Sequence, residues 1–131
     1  MEQQILPELQ AHLDGLLLMS ESEAPLTAEN MGQLSEKDLL DKLTAEHGET
    51  ASVNVIPAAD FFDKISRTAD PNDQIVTANA ERFQQLYTYL KEHTTEIEVI
   101  RVEGEVQVPV IITALQADGS RLALSTYAVE S

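Results

Sequence analysis

One predicted strand in the second half of the chain carries apolar residues on both of its faces, and this feature most constrains the fold. After residue 94 the spacing of apolar residues changes from a helical period to a period of two. Ile97 and Val99 then lie on one face of the strand, and Ile100 and Val102 lie on the other. A sheet that is apolar on both faces must be covered on both sides. The sequence therefore predicts an α+β protein, an α/β/α sandwich whose sheet is mixed but largely antiparallel.

The strands of this sheet cluster in the last third of the chain. Three strands are predicted, at residues 96–103, 105–115 and 121–129. Asp118-Gly119 is a favourable hairpin dipeptide and predicts the turn between the last two. Pro109 cannot donate a backbone hydrogen bond, so we expect it at a sheet edge or in a bulge.

Helical spacing of apolar residues predicts the layers that cover the sheet. The clearest helix is predicted at residues 78–93, where Phe83, Leu86, Tyr87 and Leu90 are spaced i, i+3, i+4 and i+7. The other expected elements are a helix from Glu2 to Leu17, a helix between Ser35 and Gly48, a strand through Ala51, Val53 and Val55, and a short helix that begins at Pro57. The acidic segment S-E-S-E-A-P-L and the segment T-A-D-P-N-D are expected to be loops.

Composition narrows the class of protein and the charge of its partner. The 131 residues fit one domain over residues 1–131, and the absence of cysteine excludes disulfides and thiolate metal sites. The net charge of −15 repels nucleic acid and anionic membranes and attracts cationic surfaces. The N-terminus lacks the pattern of a secretory leader, and the early apolar run at residues 16–19 is too short to span a membrane. We expect a cytoplasmic protein that binds neither nucleic acid nor membrane directly.

The sequence contains no convincing catalytic motif. His12, His47 and His93 are far apart and have no metal-ligand spacing, so packing or exposure to solvent explains them more simply. Glycine-rich phosphate-binding loops and nucleophile elbows are absent from the sequence. D-P-N-D at residues 70–73 lacks the glycine and the bidentate glutamate of a calcium loop.

Two pairs of carboxylates could in principle act as an acid and a base. Glu96 with Glu98 and Glu103 with Glu105 have the required chemistry. Their positions next to a predicted turn are also typical of solvated strand ends, and we prefer that interpretation.

The string D-G-L-L-L-M-S-E-S-E at residues 14–23 resembles the characteristic segment of the nuclease A inhibitor-like family. The similarity continues at Phe61-Phe62, Ser66-Arg67, residues 71–73, residues 83–86 and the three strands up to the final V-E-S, but not at residues 26–50. The resemblance implies an α/β/α sandwich that is a variation of the pathogenesis-related-protein-1 type of fold. It also implies a protein that does no catalysis, has no cofactor of its own and inhibits a sugar-non-specific endonuclease of the ββα-metal class.

The resemblance further implies which residues enter the nuclease. Ser131 matches the C-terminal hydroxyl residue that ligates the partner's catalytic magnesium, which would bridge the complex. Glu21 matches the loop glutamate that occupies the position of the scissile phosphate. Glu23 and Glu130 are the neighbouring acidic residues of this predicted contact surface. An exposed carboxylate for Glu21 and a frayed terminus for Ser131 are the simpler alternatives.

A second predicted contact departs from the family pattern. Asp73 matches the aspartate of an Asp-Trp pair, but Gln74 occupies the position of the tryptophan. Asp73 could equally serve as a turn residue or helix cap. The departure at Gln74 motivates an alternative function, an interaction or regulatory module of the same fold with a different protein partner. An enzyme with a small-molecule site is the least supported hypothesis, and we expect a monomer when the protein is free.

Overall fold

The computed structural model describes residues 2–19, 23–47, 52–104 and 106–129, and these contain four helices and seven strands. In chain order the elements are α1 (Glu2–Leu13), β1 (Leu17–Met19), β2 (Glu23–Pro25), β3 (Thr27–Asn30), α2 (Glu36–His47), β4 (Ser52–Pro57), α3 (Ala58–Thr68), α4 (Gln74–His93), β5 (Thr95–Glu103), β6 (Gln107–Leu115) and β7 (Arg121–Val129). None of the described helices is long and apolar enough to cross a membrane.

The main sheet has five strands in the order β3-β7-β6-β5-β4, and all of its pairings are antiparallel. The expected α+β class is confirmed, whereas the expectation of a mixed sheet is wrong for the described strands. The connection from β4 to β5 explains the difference, because it contains two helices, α3 and α4, that pack against each other. Two successive helices return the chain to the end of the sheet where β4 finished, so β5 starts there and runs antiparallel. A single crossover helix would have given a parallel pair.

The sheet is covered by helices on both faces, as the apolar pattern of β5 predicts. Val99 packs into the larger core, which α1, α3 and α4 complete with Leu9, Phe62 and Phe83. Its neighbour Ile100 points to the opposite face and packs into a second core. That second core contains Leu39 and Leu43 of α2 and, on the sheet side, Val102, Ile111 and Ala123. The α/β/α sandwich is therefore the observed arrangement.

Residues 26–50, where the sequence shows little resemblance to the family, supply one edge strand and one covering layer. β3 pairs with β7 at the edge of the sheet, with Thr27 opposite Ser125. α2 begins after Ser35, whose hydroxyl oxygen accepts a hydrogen bond from the backbone N–H of Asp38 at 3.1 Å. This capping interaction confirms the predicted start of the helix. Gly48, which we expected to end it, lies outside the described residues.

Pro109 lies neither at a sheet edge nor at a shift in the strand register, so the prediction of an edge or a bulge is wrong. It lies in β6, the central strand, opposite Tyr127 of β7. The register between β5 and β6 begins only at the next residue, where Arg101 is opposite Val110. At this early position in β6 a proline need not supply a donor toward β5, which explains why the central strand tolerates it.

Two boundaries differ from the sequence prediction in ways that matter for function. α1 ends at Leu13 rather than Leu17, and Gly15 adopts a positive φ of 78°, a conformation that glycine reaches without strain. The chain after Gly15 turns into a short strand, β1, instead of continuing the helix. At the other boundary, α4 begins at Gln74 rather than Ala78.

Candidate partner-binding site

The residues of the predicted contact surface fall into two groups. Glu21, Glu130 and Ser131 lie outside the described residues, so their roles stay predictions. Glu23 is described as the exposed first residue of β2, and Asp73 and Gln74 as exposed residues at the start of α4. The described residues next to Glu21, and those that precede Glu130 and Ser131, determine which elements of the fold these predicted contact residues follow.

β1 and β2 form an antiparallel hairpin, which the sequence prediction divided between a helix and a loop. Leu17 lies opposite Pro25, Leu18 opposite Ala24 and Met19 opposite Glu23. Residues 20–22, which include Glu21, therefore connect the two paired strands at the last register pair. The side chains of Leu18 and Ala24 are buried and fix one face of the hairpin against the body of the protein.

The side chain of Asn79 on α4 forms hydrogen bonds with both backbone polar groups of one residue in the hairpin. Asn79 accepts a hydrogen bond from the backbone N–H of Leu17 through Oδ1 at 3.1 Å, and its Nδ2 donates to the carbonyl oxygen of Leu17 at 2.8 Å. Arg82, one turn further along α4, donates to the carbonyl oxygens of His12 and Asp14. These bonds fix both the start of the hairpin and the turn before it to one helix.

The opposite side of the hairpin meets the C-terminal half of β7. The hydroxyl of Thr126 donates to the carbonyl oxygen of Ala24 at 3.4 Å, a long hydrogen bond. Further along β7, Val129 is opposite Gln107 of β6, and it is the last described residue before 130–131. The hairpin therefore lies between α4 and the strand that leads to Ser131.

Asp73 is the N-cap of α4. One carboxylate oxygen, Oδ1, accepts hydrogen bonds from the backbone N–H groups of Ile75 at 3.0 Å and Val76 at 3.1 Å. The carbonyl oxygen of Asp70 accepts the backbone N–H of Asp73 at 3.0 Å and the hydroxyl of Thr77 at 3.1 Å. The capping alternative for Asp73 is thus confirmed, and it explains why α4 starts earlier than the apolar spacing suggested. A contact with a partner stays a prediction.

A shallow groove joins the start of α4 to the hairpin. Its lining includes Met19 of β1 together with Gln74 and Ile75 of α4. Ile75 is 76% exposed, more than any other large hydrophobic side chain among residues 8–19, 23–46, 52–104 and 106–129, whose side chains the structure describes. The sequence prediction missed Ile75 because it placed the start of the helix after this residue. An apolar residue two positions after a potential Asp cap was the signal that could have identified it.

The family model for nuclease A inhibitor-like proteins matches residues 3–131, nearly the whole chain. The chain belongs to the nuclease A inhibitor-like family. Membership implies a nuclease-inhibitor function and a nuclease as the protein partner. The match includes residues 26–50, where the sequence itself showed no clear resemblance. No curated protein matches the chain significantly.

Of the carboxylates considered as acid–base pairs, Glu96, Glu98 and Glu103 lie on β5, and Glu105 lies outside the described residues. Glu98 shares the α2-facing side of β5 with Ile100, and its carboxyl shares a hydrogen bond with Glu36 at the start of α2. This hydrogen bond, burial and the negative charge of Glu36 raise the pKa of Glu98 to about 7, although Arg121 opposes the shift. Glu96 adds a smaller increase to the same pKa and has a φ of 50° where the register between β5 and β6 shifts.

Two of the histidines, His12 and His93, pack against an aromatic ring. The rings of His12 and His93 lie 4.8 and 4.4 Å from the ring of Tyr89 on α4. The hydroxyl of Tyr89 donates to Glu8 at 3.3 Å, and burial together with this carboxylate raises the pKa of Tyr89 to about 12. Within residues 8–19, 23–46, 52–104 and 106–129, whose side chains the structure describes, no three His, Asp or Glu side chains are grouped so that they could hold a metal ion.

Proposed function

We propose that this protein inhibits a sugar-non-specific endonuclease of the ββα-metal class by occupying its metal site. The observation that carries the proposal is the position of the β1–β2 hairpin. It is bonded to α4 through Asn79 and to β7 through Thr126. Glu21, Asp73 and Ser131 therefore belong to or directly follow elements in contact: the hairpin contacts both α4, which Asp73 caps, and β7, which precedes Ser131.

Glu21 serves in this proposal as the mimic of the scissile phosphate. Glu21 belongs to the three residues that connect the paired strands β1 and β2. One face of these strands is buried through Leu18 and Ala24. A short connection on a fixed hairpin loses little conformational entropy when it enters a cleft. The carboxylate then meets the donors with which a nuclease binds phosphate.

Ser131 supplies the second element of the proposal. Magnesium prefers oxygen ligands and retains exchangeable positions, and a serine hydroxyl beside a carboxylate offers suitable oxygens. The metal is the partner's, and the inhibitor contributes Ser131 as a ligand, with Glu130 beside it. β7 pairs with β6 up to Val129, the residue just before this segment, and with β3 as far as Ser125. Such pairing supports presentation of the segment in a defined direction.

Net charge assists the association. A charge of −15 directs the protein toward the cationic cleft that normally attracts nucleic acid. This long-range attraction favours encounter with any basic surface, so the specificity must come from the hairpin, the α4 cap and the C-terminal segment.

The decisive experiment concerns Ser131. Nuclease inhibition is measured for a C-terminally tagged protein, an N-terminally tagged protein, Ser131→Ala and Ser131→Thr, each with and without magnesium. We expect the C-terminal tag to abolish inhibition because it adds atoms inside the metal site, while the N-terminal tag has no effect. Ser131→Ala loses an oxygen ligand and should weaken inhibition only when magnesium is present, whereas Ser131→Thr keeps the hydroxyl. Full inhibition by the C-terminally tagged protein would exclude the metal-site mechanism.

A second candidate function rests on Gln74. This residue replaces the tryptophan of the family pattern and is exposed at the start of α4. An interaction module with the same fold but a different protein partner is consistent with that change. Tight binding to a protein other than a nuclease, with no inhibition of nucleases of the class, would favour this alternative.

A further inference from the structure

We infer that Ile75, with Met19 beside it, is the apolar anchor of the nuclease-binding surface and inserts into an apolar recess at the rim of the nuclease's cationic cleft. The inference deepens the proposed function and rests on it. Ile75 is 76% exposed, whereas its neighbour Val76 is half-buried and lines a cavity toward the core. Ile75 and Met19 together form an apolar part of one groove on an otherwise strongly acidic protein, and a partner that covers this groove gains the burial of their apolar surface.

The position of Ile75 is fixed before any partner binds. Its backbone N–H is bound by the Asp73 cap, and the hydroxyl of Thr77 is bound to the carbonyl oxygen of Asp70. A β-branched side chain in a helix has essentially one preferred rotamer. Burial of Ile75 at an interface therefore costs little conformational entropy, which is the property of an effective anchor.

The surroundings of Ile75 match the chemistry of a nuclease cleft. Met19 lines the same groove and is the last described residue before the connection that carries Glu21. Asp14 and Asp73 are exposed, and each directly precedes a residue that lines the groove, Gly15 and Gln74. A small apolar patch beside acidic residues is complementary to an apolar recess beside basic phosphate-binding residues. It is also continuous with the hairpin that carries the proposed phosphate mimic.

The distribution of the other exposed apolar residues supports this choice. Val106, which is 56% exposed, precedes Gln107, and Gln107 is opposite Val129 near the C-terminal segment. Val55 is 40% exposed on β4, the edge strand farthest from the hairpin side of the sheet. Ile75 and Val106, the two most exposed large apolar residues among the described side chains, thus lie at the two ends of the proposed contact surface, and Val55 provides a matched control.

The experiment separates an apolar anchor from simple charge mimicry. Affinity for a ββα-metal endonuclease is measured for wild type, Ile75→Ala, Ile75→Glu, Val55→Ala and Val55→Glu, and the melting temperature of each variant is recorded. We expect Ile75→Ala to weaken binding about tenfold and Ile75→Glu to weaken it further, mainly through faster dissociation. The two Val55 variants should bind within about twofold of wild type.

Charge mimicry alone makes the opposite prediction, because Ile75→Glu adds a negative charge facing a cationic cleft. If Ile75→Glu binds as tightly as wild type or more tightly, the anchor role is wrong while the proposed inhibition stands. If the wild-type protein itself does not bind any nuclease of the class, the proposed function fails and this inference fails with it.

Discussion

Asn79 offers a direct test of how the fold positions the hairpin. Its side chain makes two hydrogen bonds with the backbone of Leu17, at 3.1 and 2.8 Å. Asn79→Ala removes both, and each such bond contributes about 1 kcal/mol net. The backbone groups of Leu17 are only half-buried and regain some hydration, so we expect the free energy of unfolding to fall by about 1–2 kcal/mol.

The same change should weaken inhibition, because a detached hairpin must be ordered again when it binds. A reordering cost of about 1.4 kcal/mol corresponds to a tenfold weaker inhibition constant. Gln84→Ala is the matched control on the same helix. Nε2 of Gln84 donates two bonds of 2.8 Å, to the carbonyl oxygen of Phe62 and to Ser66, and these connect α4 to α3 rather than to the hairpin.

The assay combines urea denaturation with titration of nuclease activity for both variants. We expect similar losses of stability, but a weaker inhibition constant only for Asn79→Ala. Equal inhibition by both variants, with the stability losses present, would refute the idea that α4 positions the hairpin for binding.

Two further predictions concern acidic residues. The pKa of Glu98 is raised to about 7 from a usual 4.5, so between these pH values the folded state keeps a proton that the unfolded chain releases. The contribution of Glu98 to the free energy of unfolding therefore falls as the pH rises from 4.5 to 7. Glu98→Gln removes the repulsion with Glu36 and should flatten this fall in urea denaturation at pH 5 and pH 8; unchanged pH dependence would contradict it. In a nuclease assay, Glu21→Ala should weaken inhibition by more than tenfold and Glu23→Ala by much less. Equal small losses for the two variants would mean that the hairpin contributes only non-specific negative charge.

The part of the site that sequence could predict was the part encoded locally. Asp73 was recognised as a turn or cap residue because the cap chemistry lies within three residues along the chain, and as a contact residue through resemblance. Gln74 was recognised through resemblance. Ile75 was missed because the helix boundary was placed too late, and exposure of a side chain is not visible in a local pattern.

The hairpin shows the limit of local patterns most clearly. β1 and β2 have three residues each, too few to establish a period of two. Leu17 also continued the apolar spacing of α1, so local sequence favoured a longer helix. Gly15, with its positive φ, ends the helix, and contact with Asn79, which is 62 residues away in the sequence, holds the strand that follows.

The sequence by itself determined the sandwich, because β5 carries apolar residues on both of its faces and both faces must be covered, wherever the helices lie. It also determined the acidic surface and, through resemblance, the class of partner. Only the tertiary structure decided that the sheet is antiparallel throughout the described strands, since this depends on how α3 and α4 pack against each other. It alone decided that the hairpin lies between α4 and β7, because side-chain bonds to backbone groups form only after distant segments meet. Periodicity specifies which face of an element is buried, and packing specifies which element it meets.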